Sequence, residues 1–260
     1  MAGSAGERDN NIVRLVVISD THGLHNDLVL PAADLLVHCG DFSNQGTLTE
    51  VRAFRQWLEE EEVQQRYPEI ILIGGNHDCK PSRSDLKKEF SGNPRINFLN
   101  DESILCAGGR ICIHGASWET CQRDQFSLAC QWVATTSTTI TRPVDVFLSH
   151  MPPYVPLATK SAMSQAGSIE LTDMVLTNRI PLLCCGHFHW GRGAVQFFHG
   201  GDDSSNKPSS SWLINCASQQ REGVAPPVVI DYNVKERSVL CVQGLDADTI
   251  CTVKAVSRKI

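Results

Sequence analysis

Two short runs in this sequence pair metal-ligating side chains at a spacing of two: Asp20-Thr21-His22 and His187-Phe188-His189. In extended backbone, residues i and i+2 point the same way, so each run offers two ligand atoms on one face. Single residues of the same chemical types stand elsewhere: Asp41, Asn76, His77, Asp78 and His150. Imidazole nitrogens mixed with carboxylate and amide oxygens suit divalent metals of the Mn, Fe and Zn kind, and two-metal sites often share a bridging carboxylate. Any one of these residues alone reads as an ordinary satisfied polar side chain. Their placement changes the reading, because each stands just past a short apolar run.

Those runs are the elements that must position them. Residues 12–19 lead into Asp20, 35–39 into Gly40-Asp41, 70–73 into Gly74-Gly75-Asn76-His77-Asp78, 144–149 into His150, and 181–185 into Gly186-His187. Short apolar segments bounded by glycine suit strands covered on both faces, and open α/β sheets carry their chemistry at the carboxyl ends of strands. Residues 48–67 predict one amphipathic helix. Val51, Phe54, Trp57, Leu58 and Val63 form its apolar stripe, Thr47 or Thr49 caps it, and Pro68 stops it. Further helices are expected at 84–90, 125–133 and 168–178. Strands are expected at 96–99, 103–107 and 110–114, with Gly108-Gly109 as a hairpin turn. Beyond His189 the strands 193–198, 212–216, 228–232 and 238–242 follow without helices and predict mostly antiparallel pairing. The expected class is α/β, with two packed sheets and helices outside. Residues 1–10 read as a loose, flexible N-terminus and 11–260 as a single domain.

Taken in order, Asp20-x-His22, Gly40-Asp41, Gly75-Asn76-His77-Asp78, His150 and Gly186-His187-x-His189 resemble the motifs of the calcineurin-like metallophosphoesterases. Finer features are similar to the metallophosphoesterase-domain-containing (class III phosphodiesterase-like) subfamily: His38-Cys39-Gly40-Asp41-Phe42, the stretch 115–118, His150-Met151-Pro152-Pro153 and Asn215-Cys216-Ala217-Ser218. The resemblance implies a four-layer α-β-β-α sandwich of two mixed sheets. It implies that Asp20, His22, Asp41 and His189 hold one metal ion and that Asp41 bridges to a second, completed by Asn76, His150 and His187. His77 is then a catalytic group and not a ligand, donating a proton or hydrogen bond to the leaving group or a phosphoryl oxygen, with Asn76 and His77 touching substrate. The implied cofactors are two divalent or mixed-valence ions, Mn, Fe or Zn with Mn favoured. The implied reaction is attack of a metal-bridging hydroxide on a phosphoester.

The chain departs from protein Ser/Thr phosphatases after Gly40-Asp41. It carries Asn44, Gln45 and Gly46 where they have Asp-Arg-Gly, so it lacks the guanidinium that would clamp a phosphate dianion. The expected activity is therefore phosphodiester hydrolysis on a small nucleotide-like substrate, with a monoesterase or a low-activity metal-binding scaffold for protein partners as alternatives.

A formal net charge of −6 argues against binding nucleic-acid polymers or anionic membranes, which requires clustered cations. The opening MAGSAGERDN is not a secretory signal, and no apolar run is long enough to span a bilayer. The eleven cysteines lack CxxC spacing and fall largely within apolar strands. They are expected as free thiols in a reducing, cytoplasmic setting. His38 is expected as a core histidine, and His25, His114 and His199 lack partnered spacing, with His114 a weak candidate for substrate contact. Asp78 is expected either to orient His77 or to cap the helix that follows it, the cap being the preferred reading. Trp118, Tyr154 and Trp190 are loop aromatics, read as packing or as stacking partners for a base.

Overall fold

A computed structural model describes residues 9–78, 80–118, 143–154, 167–199, 208, 210–221 and 223–253. The helix expected at 125–133 lies outside the described residues. Burial on both faces shapes the first strand, β1 (Ile12–Ile18): Val13, Leu15 and Val17 face a second sheet, while Val16 and Ile18 face helices. β1 pairs in parallel with β2 (Leu35–His38), β2 with β3 (Glu69–Leu72), and β3 with β4 (Ile96–Phe98). The other edge of β1 is taken by β13 (Val228–Asn233), antiparallel, with β14 (Ser238–Gln243) beyond it.

The second sheet runs β15-β9-β10-β8-β7-β6-β5. Its members are β5 (Glu102–Cys106), β6 (Ile111–Ala116), β7 (Val146–Ser149), β8 (Leu182–Cys185), β9 (Gly193–Phe198), β10 (Ser210–Asn215) and β15 (Ile250–Val253). β6, β7, β8 and β10 are parallel neighbours, so this sheet is mixed as well. The strands after His189 pair mostly antiparallel, β9 with β10 and β13 with both β1 and β14, but they divide between the two sheets. β10 inserts beside β8 in parallel, while β13 and β14 complete the first sheet.

One apolar layer lies between the sheets, with Leu15, Val37, Ile71, Ile113, Leu148, Cys184 and Ile230 fully buried. A second layer joins the outer face of the first sheet to α1 (Leu48–Glu59), α2 (Glu61–Arg66) and α3 (Arg83–Phe90). A third joins Phe147, Leu183 and Leu213 to α4 (Ile169–Asn178). Helices thus flank two packed mixed sheets. Among the described residues no helix is long and apolar enough to cross a membrane.

The single helix expected over 48–67 is broken at Glu60, whose ψ of 141° is extended. The break moves Glu61 and Glu62 from the interior of one long helix to the favourable first turn of α2. Thr47 is the cap. Its hydroxyl accepts from the Glu50 amide while Glu50 accepts from the Thr47 amide, a reciprocal capping box.

Candidate metal centre

β1, β2 and β3 of one sheet and β7 and β8 of the other end on the same side, and a bridge between Ser19 and Ala217 joins the sheets there. Ser117 ties the margins further: its hydroxyl accepts from the Gly74 amide and donates to the Leu99 carbonyl. The chain must turn sharply as it leaves each strand. Asp20, His22, Asp41 and His187 all adopt left-handed backbone, with φ of 54°, 44°, 57° and 67°. That conformation is uncommon for residues bearing a Cβ, and such strain concentrates at functional sites. Close approach explains two of the glycines. A Cβ on Gly75 would collide with Asp41, and one on Gly186 with Ser19 and Asp20.

Ligand atoms of Asp20, His22 and His189 lie within 4.8 Å of one another, as do those of Asp41, His150 and His187. His22 Nε2 faces His189 Nε2 at 3.3 Å, and His189 Nε2 is 3.3 Å from Asp20 Oδ1. His189 donates from Nδ1 to the Gln219 carbonyl at 3.1 Å, so its Nε2 turns toward the other two. In the second group Asn76 Oδ1 lies 3.0 Å from His150 Nε2 and 2.9 Å from His187 Nδ1. Asp41 Oδ2 lies between the groups, 3.2 Å from His150 Nε2 and 3.8 Å from His22 Nε2.

This donor set fits cations. His150 donates from Nδ1 to the Cys39 carbonyl at 2.8 Å, so Nε2 faces two oxygens and needs a positive charge there, a proton or a metal ion. Burial works against that proton, but the charge of Asp41 and its hydrogen bond outweigh burial and lift the His150 pKa to about 9. Burial tends to raise Asp20 and Asp41 as well. The hydrogen bond from His189 dominates at Asp20 and the charge of His150 at Asp41, and both stay below the usual carboxylate range. Burial, helped by the charge of His150, pushes His187 down to about 4 and leaves its ring neutral, as a metal ligand must be.

His77 is exposed beside this cluster. Its ring meets that of His22 edge-on at 4.7 Å, and one ligand atom of His77 lies within 4.8 Å of His22 and Asp41 ligand atoms. Nδ1 donates to the Asn44 carbonyl at 2.7 Å, which leaves Nε2 free for other work.

Asp78 does not cap a helix; Ser82 caps α3. The Asp78 carboxylate is fully buried and accepts from the amides of Asp41, Ser43 and Gly75 and from the Ser43 hydroxyl, at 2.6 to 3.0 Å. It binds the β2 and β3 loops together under Asp41, and burial with the Asp41 charge raises its pKa to about 6. His38 is buried between motifs, with Thr21 Oγ1 on Nε2 and the Gly40 amide donating to Nδ1. His114 lies buried within β6 against Phe147, away from any substrate role. His25 packs on Phe54 and Trp57, and His199 meets the Ser211 hydroxyl. Trp118 is buried against His187 at 4.6 Å and so is packing, whereas Trp190 stacks on Phe188 and is 61 % exposed.

Sequence reasoning missed the three carbonyls, of Cys39, Asn44 and Gln219, that orient His150, His77 and His189. Any residue type supplies a carbonyl, so the sequence held no signal for them.

A family model described as calcineurin-like phosphoesterase matches residues 13–191. Metallophosphoesterase domain-containing protein 1 from Homo sapiens and from Mus musculus are each 28% identical over 261 residues, covering 86% of this chain and 72% of the relative. A solved structure, GAP50, the anchor in the inner membrane complex of Plasmodium, superposes with a TM-score of 0.51 at 11% identity, over 92% of this chain and 91% of its own. At that identity it speaks for the fold alone. With five strand-end motifs gathered across two sheets and the family model spanning all of them, the chain belongs to the calcineurin-like phosphoesterase family.

Proposed function

We propose that this protein is a two-metal phosphodiesterase acting on small nucleotide-like diesters. The observation that carries the reading is Asp41, whose Oδ2 lies between the two ligand groups, 3.2 Å from His150 and 3.8 Å from His22. Asp20, His22, Asp41 and His189 would hold one ion; Asn76, His150 and His187, sharing Asp41, would hold the other. The mixed nitrogen and oxygen donors suit Mn, Fe or Zn, with Mn favoured. When bound, such a pair supplies an activated water and neutralises charge on the phosphate. His77, held through Nδ1 by Asn44, presents Nε2 to the leaving oxygen as a proton donor, and the Asn76 amide orients a phosphoryl oxygen. With Asn44, Gln45 and Gly46 in place of an arginine-bearing motif, a singly charged diester suits the site better than a monoester dianion. The described cysteines are free thiols, which supports a reducing, cytoplasmic setting.

Metal analysis combined with hydrolysis of bis-p-nitrophenyl phosphate and of p-nitrophenyl phosphate tests the reading. The expected result is two ions per chain and faster cleavage of the diester. Preference for the monoester would replace it with a phosphomonoesterase. Bound metal without turnover on either compound, or on a panel of cyclic nucleotides, would replace it with a scaffold.

A further inference from the structure

The family model ends at residue 191, and the next residue, Arg192, places its guanidinium among backbone carbonyls from outside that region. Nη1 donates to Cys216 and Ala217, both at 2.9 Å; Nη2 donates to Pro226 at 2.5 Å and to Gly244 at 3.0 Å. Cys216 and Ala217 open a loop and Pro226 closes it, so one side chain grips both ends of its neck. Between those ends lies a two-rung hairpin, β11 (Gln219–Gln220) with β12 (Gly223–Val224). The Gln219 carbonyl in this hairpin accepts from His189 Nδ1. The same loop is sewn to the first ligand motif, with the Ser218 amide on the Ser19 carbonyl at 2.8 Å and the Gln219 amide on the Asp20 carbonyl at 3.1 Å.

We propose that Arg192 is a positioning residue of the metal centre. By closing the neck of the loop 216–226 it fixes the Gln219 carbonyl, which holds the Nδ1–H of the His189 ring and keeps Nε2 turned to Asp20 and His22. Partners that orient a ligating imidazole set metal affinity by about 10–100-fold. The influence of Arg192 falls on one half of the centre. His150 is oriented by Cys39 and His187 meets Asn76, neither through this loop. A lysine cannot replace the fork, because a single ammonium does not span four carbonyls on two sides.

The inference rests on the two-ion reading, and its test separates the two. Full-length wild type, Arg192→Met and Arg192→Lys are titrated with Mn²⁺ alone by calorimetry. The hydrogen-bonded Nδ1–H of His189 is read in each metal-free protein by long-range proton–nitrogen correlation. For both variants the expected result is one Mn²⁺ site weakened about tenfold or more beside a second site unchanged, and loss of the hydrogen-bonded Nδ1–H signal at His189. Wild-type affinities at both sites, equal weakening of both, or an unaltered Nδ1–H signal would overturn the proposal. Should Arg192→Met fail to fold, Arg192→Lys decides by the same readouts. A wild type that binds fewer than two ions counts against the two-metal reading, while the Nδ1–H comparison still judges Arg192.

Discussion

With Nδ1 committed to the Cys39 carbonyl, His150 becomes a metal ligand only by shedding the proton that Asp41 stabilises on Nε2. That proton and a cation compete for one place. Below pH 9, ion uptake at this half of the centre should release about one proton, and affinity should fall about tenfold for each unit of acidification. Calorimetry of Mn²⁺ binding in buffers of different ionisation enthalpy counts the released proton. His77 is the contrasting case, since it stands outside the ligand set proposed here. His77→Ala should keep both ions and lose about 10²–10⁴-fold in turnover, whereas Asp41→Asn should lose metal along with activity. Metal content measured beside diester hydrolysis separates the two behaviours.

Among the elements, the start of α1 reaches the site by an indirect route. Glu50 closes the capping box and also accepts from the amides of Asn44 and Gln45, so the cap shapes the turn whose Asn44 carbonyl holds His77. Thr47→Ala should cost about 0.5–2 kcal/mol in urea unfolding. It should also lower turnover without changing metal content, because the Asn44 carbonyl loses its support. The apolar stripe and the capping threonine were legible in sequence through their spacing. The break at Glu60 was not, because four consecutive glutamates suit the interior of a helix by propensity. The preference for Asp78 as a helix cap failed for a related reason. A carboxylate shortly before a helix resembles a cap, and only the folded chain brings the Asp41 and Ser43 amides to it.

Across the whole molecule, three buried histidines make stability fall in acid. Burial holds His25 and His114 down to about 4 and His38 down to about 3, against a value near 6.5 in the unfolded chain. From pH 6.5 downward the unfolded chain takes up protons that the folded one refuses, so stability drops as pH falls through 6.5 toward 4. Asp78 works in the opposite sense, since with its pKa raised to about 6 the folded chain accepts that proton first. Outside the candidate metal ligands the lowered histidines, His199 among them, outnumber this one raised carboxyl and leave a net loss, visible as a falling urea midpoint between pH 7 and pH 4.5. His25→Phe should flatten the slope. At this scale the clustering of the strand-end motifs was legible because residue type and strand-end position mark them. The partition of late strands between the sheets was not: Ile12 opposite Asn233 is a pairing across most of the chain, and no local pattern encodes it.

That same pairing sets an order of events during synthesis. As the polypeptide leaves the ribosome, β1 finds β2 early, but its other edge waits for β13 (Val228–Asn233). The nascent chain therefore carries an open, hydrophobic strand edge until residues 228–233 have been made, the kind of edge that recruits foreign strands. The Gln219 carbonyl that aims His189 arrives equally late. An ion held by His189 would therefore be captured only after residue 219 has been made, close to the point at which β13 seals the exposed edge.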